Sequence, residues 1–192
     1  MSRIQNIVEQ CLIKMSQQKW LMKFPGHLPE EMIDPSIETS NDWKGWKPIK
    51  SIINDDDLNQ LEHKIGHQLP ESYRAFLKYK HFIDLKIPDH SVEFPKHLPD
   101  KQVNFLLKLV FKHMVPELII GKGYIYFADF QDYGLLCFNT NVKKENNEYP
   151  IVYIDHEDLE CIHPYANSFL ELLEGDEGRD DKFVEYLNSL NN

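Results

Sequence analysis

The chain has 192 residues, of which 42% are apolar and 12% aromatic, enough for one substantial core and too apolar for a disordered segment. Its formal net charge is -10, and the excess is confined to one third: residues 129–192 carry 15 acidic and 4 basic side chains, whereas residues 1–128 carry 16 and 17. This balance argues against nucleic acid and favours basic proteins as partners, and the lack of any run of roughly 18 apolar residues excludes a membrane helix.

Residues 2–18 place Ile4, Ile7, Val8, Cys11, Leu12 and Met15 at helical spacing, with Ser2 as the candidate N-cap. Residues 24–47 hold Pro25, Gly26, Pro29 and Pro35 with little periodicity and read as an irregular arm. Long loops are uncommon inside compact domains, so residues 1–42 are expected to form a separate helix and arm, packed on a partner or on the back of the main domain.

The main domain is expected over residues 43–174. Asn54 caps a helix whose first turn, Asp55-Asp56-Asp57, suits the helix dipole. Leu58, Leu61 and Ile65 follow at helical spacing, and Gly66 ends it. Pro70 opens a second helix that buries Tyr73, Phe76 and Leu77. Residues 83–99, with Pro88, Pro95 and Pro99, read as a loop or insertion. Residues 101–113 read as a helix with Val103, Leu106, Leu107, Val110 and Phe111 inward.

Strands are then predicted at residues 118–120, 124–128, 135–139 and 151–155, with residues 143–148 as a charged hairpin loop. Two helices, residues 165–173 and 180–190, close the chain, and the last, within residues 175–192, packs on the core. Helices, then sequential strands, then helices give an α+β fold. A largely antiparallel sheet of about five to six strands is expected, with helices on one face and the other partly open.

The N-terminus has no apolar signal region, and Cys11, Cys137 and Cys161 are odd in number and widely spaced. Both features fit a cytoplasmic protein with free thiols.

Two blocks carry a family resemblance. The first is Trp46-Lys-Pro48-Ile49-Lys-Ser, then Leu61-Glu62, then Ile65-Gly66-His-Gln-Leu69-Pro70-Glu-Ser-Tyr73-Arg-Ala-Phe76-Leu77. The second is Tyr133-Gly-Leu-Leu-Cys137-Phe138-Asn139, then Pro150-Ile-Val-Tyr-Ile-Asp155-His156-Glu157, then Ala166-Asn-Ser168-Phe169-Leu170. In order and spacing the chain resembles the SUKH superfamily, which includes the Smi/Knr regulators of cell-wall assembly. The resemblance implies a binding role without catalytic residues: many bacterial members are immunity proteins that neutralise polymorphic toxins, and fungal members are regulators or scaffolds. It covers residues 43–174. The Lys80-His81-Phe82-Ile83 stretch departs from the Gly-rich turn usual in the family.

Chemistry by motif is sparse. Asp155-His156-Glu157-Asp158, with Cys161 and His163 nearby, has metal-ligand residue types but no recognised ligand spacing. Asp129, Asp132 and Asp155 would form a hydrolase site only if they converged at strand ends, and no matched base or phosphate loop accompanies them. No cofactor is expected. The strand region is crowded with Tyr124, Tyr126, Phe127, Phe130, Tyr133, Phe138, Tyr149 and Tyr153. Two readings stay open: all are core, or half face away from the helices as a patch rimmed by carboxylates. On the second reading the partner-binding residues are Asp129, Asp132, Tyr133, Tyr153, Asp155, Glu157 and Asp158. The partner would be a basic toxin domain, and the chain itself a monomer or weak homodimer.

Overall fold

The computed structural model describes residues 2–40, 42–88, 90–131, 134–143, 146–175 and 178–190. Its centre is a five-stranded antiparallel sheet in the order β5-β6-β7-β8-β9: Val92–Glu93, Tyr124–Phe130, Gly134–Asn139, Ile151–Asp155 and Ile162–Ala166. Two small antiparallel ribbons precede it. One pairs β1 (Lys23–Pro25) with β2 (Trp43–Gly45), the other β3 (Ile49–Lys50) with β4 (Lys80–His81). The helices are α1 (Arg3–Ser16), α2 (Asp55–Ile65), α3 (Glu71–Leu77), α4 (Asn104–Lys108), α5 (Phe169–Glu174) and α6 (Arg179–Leu190). The α+β order expected from the sequence is the order observed.

The helix ends follow from local chemistry. Ser2 closes a capping box with Gln5 at the start of α1, and Asn54 closes one with Asp57 at the start of α2. Gly66 ends α2 at φ 82°, a left-handed conformation that costs glycine nothing. The turn into α3 is closed by Glu62, whose Oε1 accepts the Leu69 N–H at 2.8 Å and pairs with Arg74 Nη1 at 2.6 Å. Pro70 gives α3 no side-chain cap. Glu148 supplies one from the hairpin between β7 and β8, accepting the Ser72 N–H at 2.9 Å and its O–H at 2.6 Å, while Asn147 O accepts the Glu71 N–H at 3.0 Å.

One hydrophobic cluster runs from Ile4 in α1 to Phe183 in α6. α1 lies against α3 and α5, and Glu9 accepts the Tyr79 hydroxyl at 2.6 Å and pairs with Lys80 at 3.2 Å. The arm is tied in as well: Trp46 is fully buried and its Nε1 donates to Leu21 O at 3.1 Å. At the middle of the cluster the Phe169 ring touches those of Tyr73, Phe76, Phe94, Phe127 and Phe138. A β-bulge between Tyr126 and Ala128 lets Phe127 and Ala128 both face this core.

The second face of the sheet is not open, contrary to expectation. Tyr126, Leu135, Cys137, Val152 and Ile154 are buried there with Ile119, beneath Leu109, Met114 and Leu159. The cover is a π-helical turn, Leu109–His113, continuing α4. This also corrects the inward assignment of Phe111, which is 37% exposed because the wider turn rotates it outward. Residues 118–120 are not a strand but lead into a 3-10 turn at Ile120–Lys122, closed by Gly123 at φ 82°. Residues 83–99 are not merely a loop: they supply β5 and bury Ile83, Leu85, Ile87, Val92 and Phe94. Residues 165 and 166 end β9 rather than starting a helix, since Ser168 caps α5 and accepts the Glu171 N–H at 3.1 Å.

His81 and His97 form a buried pair, with ring centroids 4.6 Å apart. His97 Nδ1 donates to Lys80 O at 2.8 Å and His81 Nε2 accepts the Ile52 N–H at 3.0 Å. His81 Nδ1 and His97 Nε2 have no hydrogen-bond partner. Burial lowers the pKa of His81, and burial together with His81 pushes His97 down to about 3.

Two predictions follow from this packing. Phe169→Ala lowers unfolding stability by about 3–5 kcal/mol, read from the midpoint of urea denaturation. Both histidines have folded pKa values below their unfolded one, so their neutral forms stabilise the fold and that stability is lost as pH falls. The urea midpoint is therefore expected to drop between about pH 6.5 and pH 4.5, above the range in which most carboxylates titrate, and His97→Gln flattens that slope.

Candidate functional site

The structure separates the sequence-predicted site residues. Asp129 on β6 lies opposite Leu135 and so shares the second face, where its carboxylate accepts the Tyr126 hydroxyl. Asp155, at the end of β8, pairs with Gly134 and shares the first face with Phe130 and Tyr153. The sheet therefore lies between Asp129 and Asp155, and these two do not converge as a hydrolase pair would require. Asp132 and Tyr133 lie outside the described residues. Glu157 and Asp158 are exposed on the turn that joins β8 to β9. That turn is built as its sequence suggests: Asp155 Oδ1 accepts the Glu157 N–H at 2.8 Å and Asp158 Oδ1 the Glu160 N–H at 3.1 Å.

Of the aromatic residues named in the strand region, Tyr126, Phe127, Phe130, Phe138 and Tyr153 are buried, and Tyr124 and Tyr149 are partly buried. Among the described residues, then, they do not make an exposed aromatic sheet face. Two of them instead form the floor of a cleft of about 340 Å³ beside α6, Phe130 and Tyr153. Its lip is Gln131 and Asp155, and its far wall is Val184, Leu187 and Asn188 of α6. Of the sequence-predicted partner-binding residues, Tyr153 and Asp155 thus meet at one place. A wider depression of about 640 Å³ between α1, α5 and Ile87-Pro88 contains none of them.

Several features fix the cleft. Gly134 permits the Tyr153 ring to lie directly across it, where a Cβ would overlap the ring atoms. Burial, then the nearby Asp155 carboxylate, pushes the Tyr153 hydroxyl up to about 12, so it stays protonated. Gln131 holds a left-handed backbone, φ 52°, pinned from the β5 side: its N–H donates to Ser91 O at 2.9 Å and its Nε2 to Ser91 Oγ at 3.1 Å. Phe183 seats α6 on the rings of Phe130, Tyr153 and Tyr165.

Asp180, which the sequence reading passed over, anchors α6. It is 5% exposed and accepts the Tyr165 hydroxyl at 2.6 Å and the Ser91 N–H, with His90 Nδ1 3.5 Å away. Burial alone would raise its carboxyl pKa, but the nearby His90 ring and the hydrogen bonds from Tyr165 and Ser91 hold it below the usual carboxylate value. A sequence signal existed only in part: Asp in a first helical turn reads as ordinary dipole complement.

The chemistry available is limited. Among the described residues no group of three or more His, Cys, Asp or Glu side chains is placed to hold a metal ion. Cys161 Sγ contacts His163 Nε2 at 3.1 Å. Burial and the neighbouring Asp155 and Asp158 raise the thiol pKa, which keeps it protonated and weakly nucleophilic. Cys11 and Cys137 are buried free thiols. No described helix is long and apolar enough to cross a membrane.

The order of elements and the two-faced packing define an α+β domain built around an antiparallel sheet. The SUKH_6 family model, described as SMI1-KNR4 cell-wall, matches residues 55–173. The match spans well over half of the chain, which therefore belongs to the SMI1-KNR4 family within the SUKH superfamily. It takes in α2, α3, the central sheet and nearly all of α5; α1, the arm and α6 fall outside it. Comparison with curated proteins returns no match.

Asp180→Ala leaves the Ser91 N–H and the Tyr165 hydroxyl without their acceptor. We expect a loss of about 1–3 kcal/mol in stability and, in hydrogen exchange, selective loss of protection in α6 relative to β7 and β8. Uniform loss across the sheet would contradict a local anchoring role.

Proposed function

We propose that the chain is a non-catalytic protein-binding domain, and that its role is immunity: it neutralises a polymorphic toxin by binding it. Family membership supports the binding class. The observation that carries the specific reading is the acidic rim around the α6 cleft. Asp155 stands at its lip, Glu157 and Asp158 are exposed on the adjoining turn, and Asp181 and Glu185 are exposed on α6, each one helical turn from a wall residue. A small concave site with a partly apolar floor and a carboxylate rim suits a basic protein, because the charges steer encounter while the buried floor holds the contact.

A second reading keeps the same binding surface and changes the partner. The cell-wall description of the family favours an intracellular regulator or scaffold of the Smi/Knr type. The two readings differ in what is captured.

Co-expression with a toxin domain encoded beside this gene is expected to protect cells. The purified complex should weaken as salt rises from about 50 to 300 mM, as screened surface charges require. The double substitution Glu157→Lys, Asp158→Lys should slow association more than it speeds dissociation. If no adjacent toxin domain binds and proteins of wall synthesis are captured instead, the regulatory reading replaces the immunity one.

A further inference from the structure

We infer that the cleft between the end of β8 and α6 is a pocket for one arginine side chain of the partner. The inference deepens the proposed reading, on which it rests for the existence of a basic protein partner. The cavity, about 340 Å³, is at the small end of the ligand-pocket range of roughly 300–1,000 Å³ and admits one side chain rather than a helix.

Its lining matches a guanidinium better than an ammonium. Phe130 and Tyr153 close the inner end, where a flat, weakly hydrated cation is favoured over a strongly hydrated one. Asp155 supplies the countercharge. Its Oδ1 is engaged by the Glu157 N–H, and an ionised carboxylate keeps further acceptor positions on its second oxygen. Gln131 spends its Nε2 on Ser91 Oγ, which leaves its Oε1 as an acceptor at the lip. A guanidinium carries five donors in a plane and can meet acceptors on two sides of the cleft, whereas an ammonium is a point charge.

The backbone at the lip is set in advance. Gln131 is a non-glycine residue at φ 52°, held there by two hydrogen bonds that it donates to Ser91. The Gln131 side chain is thereby fixed at the lip before any ligand arrives, which lowers the ordering cost of binding. The pocket also joins two parts of different standing. Its floor and lip come from residues 130–155, within the family match, and its wall from α6, outside it. α6 therefore decides which side chain the shared floor accepts.

The test uses the full chain and three small probes. ¹⁵N-labelled protein is titrated with N-acetyl-arginine amide, its neutral isostere N-acetyl-citrulline amide, and N-acetyl-lysine amide. The arginine probe should shift the amides of Gln131, Asp155, Leu187 and Asn188 at millimolar concentration, with little response to the other two. Asp155→Asn, nearly isosteric, should weaken the arginine response about ten- to a hundredfold, as expected for a hydrogen bond to a charged group. Val184→Trp, which narrows the cleft without removing charge, should abolish it. Equal shifts with citrulline or lysine, or shifts elsewhere on the surface, overturn the inference. So does a toxin complex whose affinity is indifferent to both substitutions, which would leave the immunity reading standing without this pocket. Arginine binding in the cleft with no toxin captured would do the reverse.

Discussion

The fold turns on the Phe169 ring. It is the first residue of a six-residue helix, yet it contacts rings from α3, from the segment after β5 and from β6 and β7. Neither α3 nor α5 is long enough to be stable alone in water. Each is held by apolar burial against the sheet, and Phe169 is where those burials meet. Ser168 sets the position of the ring, because its cap fixes where the helix begins. The strand that leads there, β9, can then end with Tyr165 facing the α6 side of the core.

From that centre the molecule divides into a rigid interior and an attached wall. The sheet is buried on both faces, so its central strands offer little surface for recognition. What remains for binding is the rim where strands end and α6 crosses, which is also where the carboxylates gather. The Asp180 anchor and the Phe183 contact hold α6 at two neighbouring points near its N-terminal end. The part that lines the cleft, Val184 to Asn188, lies beyond them. Val184 and Leu187 also pack on the core and Tyr186 meets the His163 ring, so the wall is held along its length and the cleft width is set by the residues that α6 carries.

Legibility from sequence tracked how local each determinant is. The α2–α3 pair was readable because Asn54, Gly66 and Pro70 act on their own neighbours. β6, β7 and β8 were readable from aromatic and β-branched runs. β9 was missed because Pro164 interrupts it, and proline in a strand is tolerated only where its missing N–H is not needed, as on this edge. β5 was missed because two residues between prolines carry no period. The apolar residues 118–120 resembled a strand, but the glycines at 121 and 123 turn the chain first. At the site, Asp155 and Tyr153 were legible as a strand end and an aromatic neighbour. Asp180, Gln131 and the α6 wall were not, since their roles depend on partners 15 to 89 residues away in the chain. That Asp129 and Asp155 lie on opposite faces was illegible for a related reason: the bulge at Phe127 decides which face Asp129 takes, and a bulge leaves no plain mark in the sequence.

The cap that Glu148 places on α3 has a consequence for the order of assembly. The seven residues of α3 leave the ribosome well before their capping carboxylate, which follows 76 residues later. Until the β7–β8 hairpin is synthesised, the first turn of α3 has only water for its free amides, and Tyr73 lacks the Phe138 ring on its sheet side. A chain that ends before residue 148 therefore lacks the acceptor for both the Ser72 amide and its hydroxyl, and the start of α3 is the last part of the helix pair to be fixed.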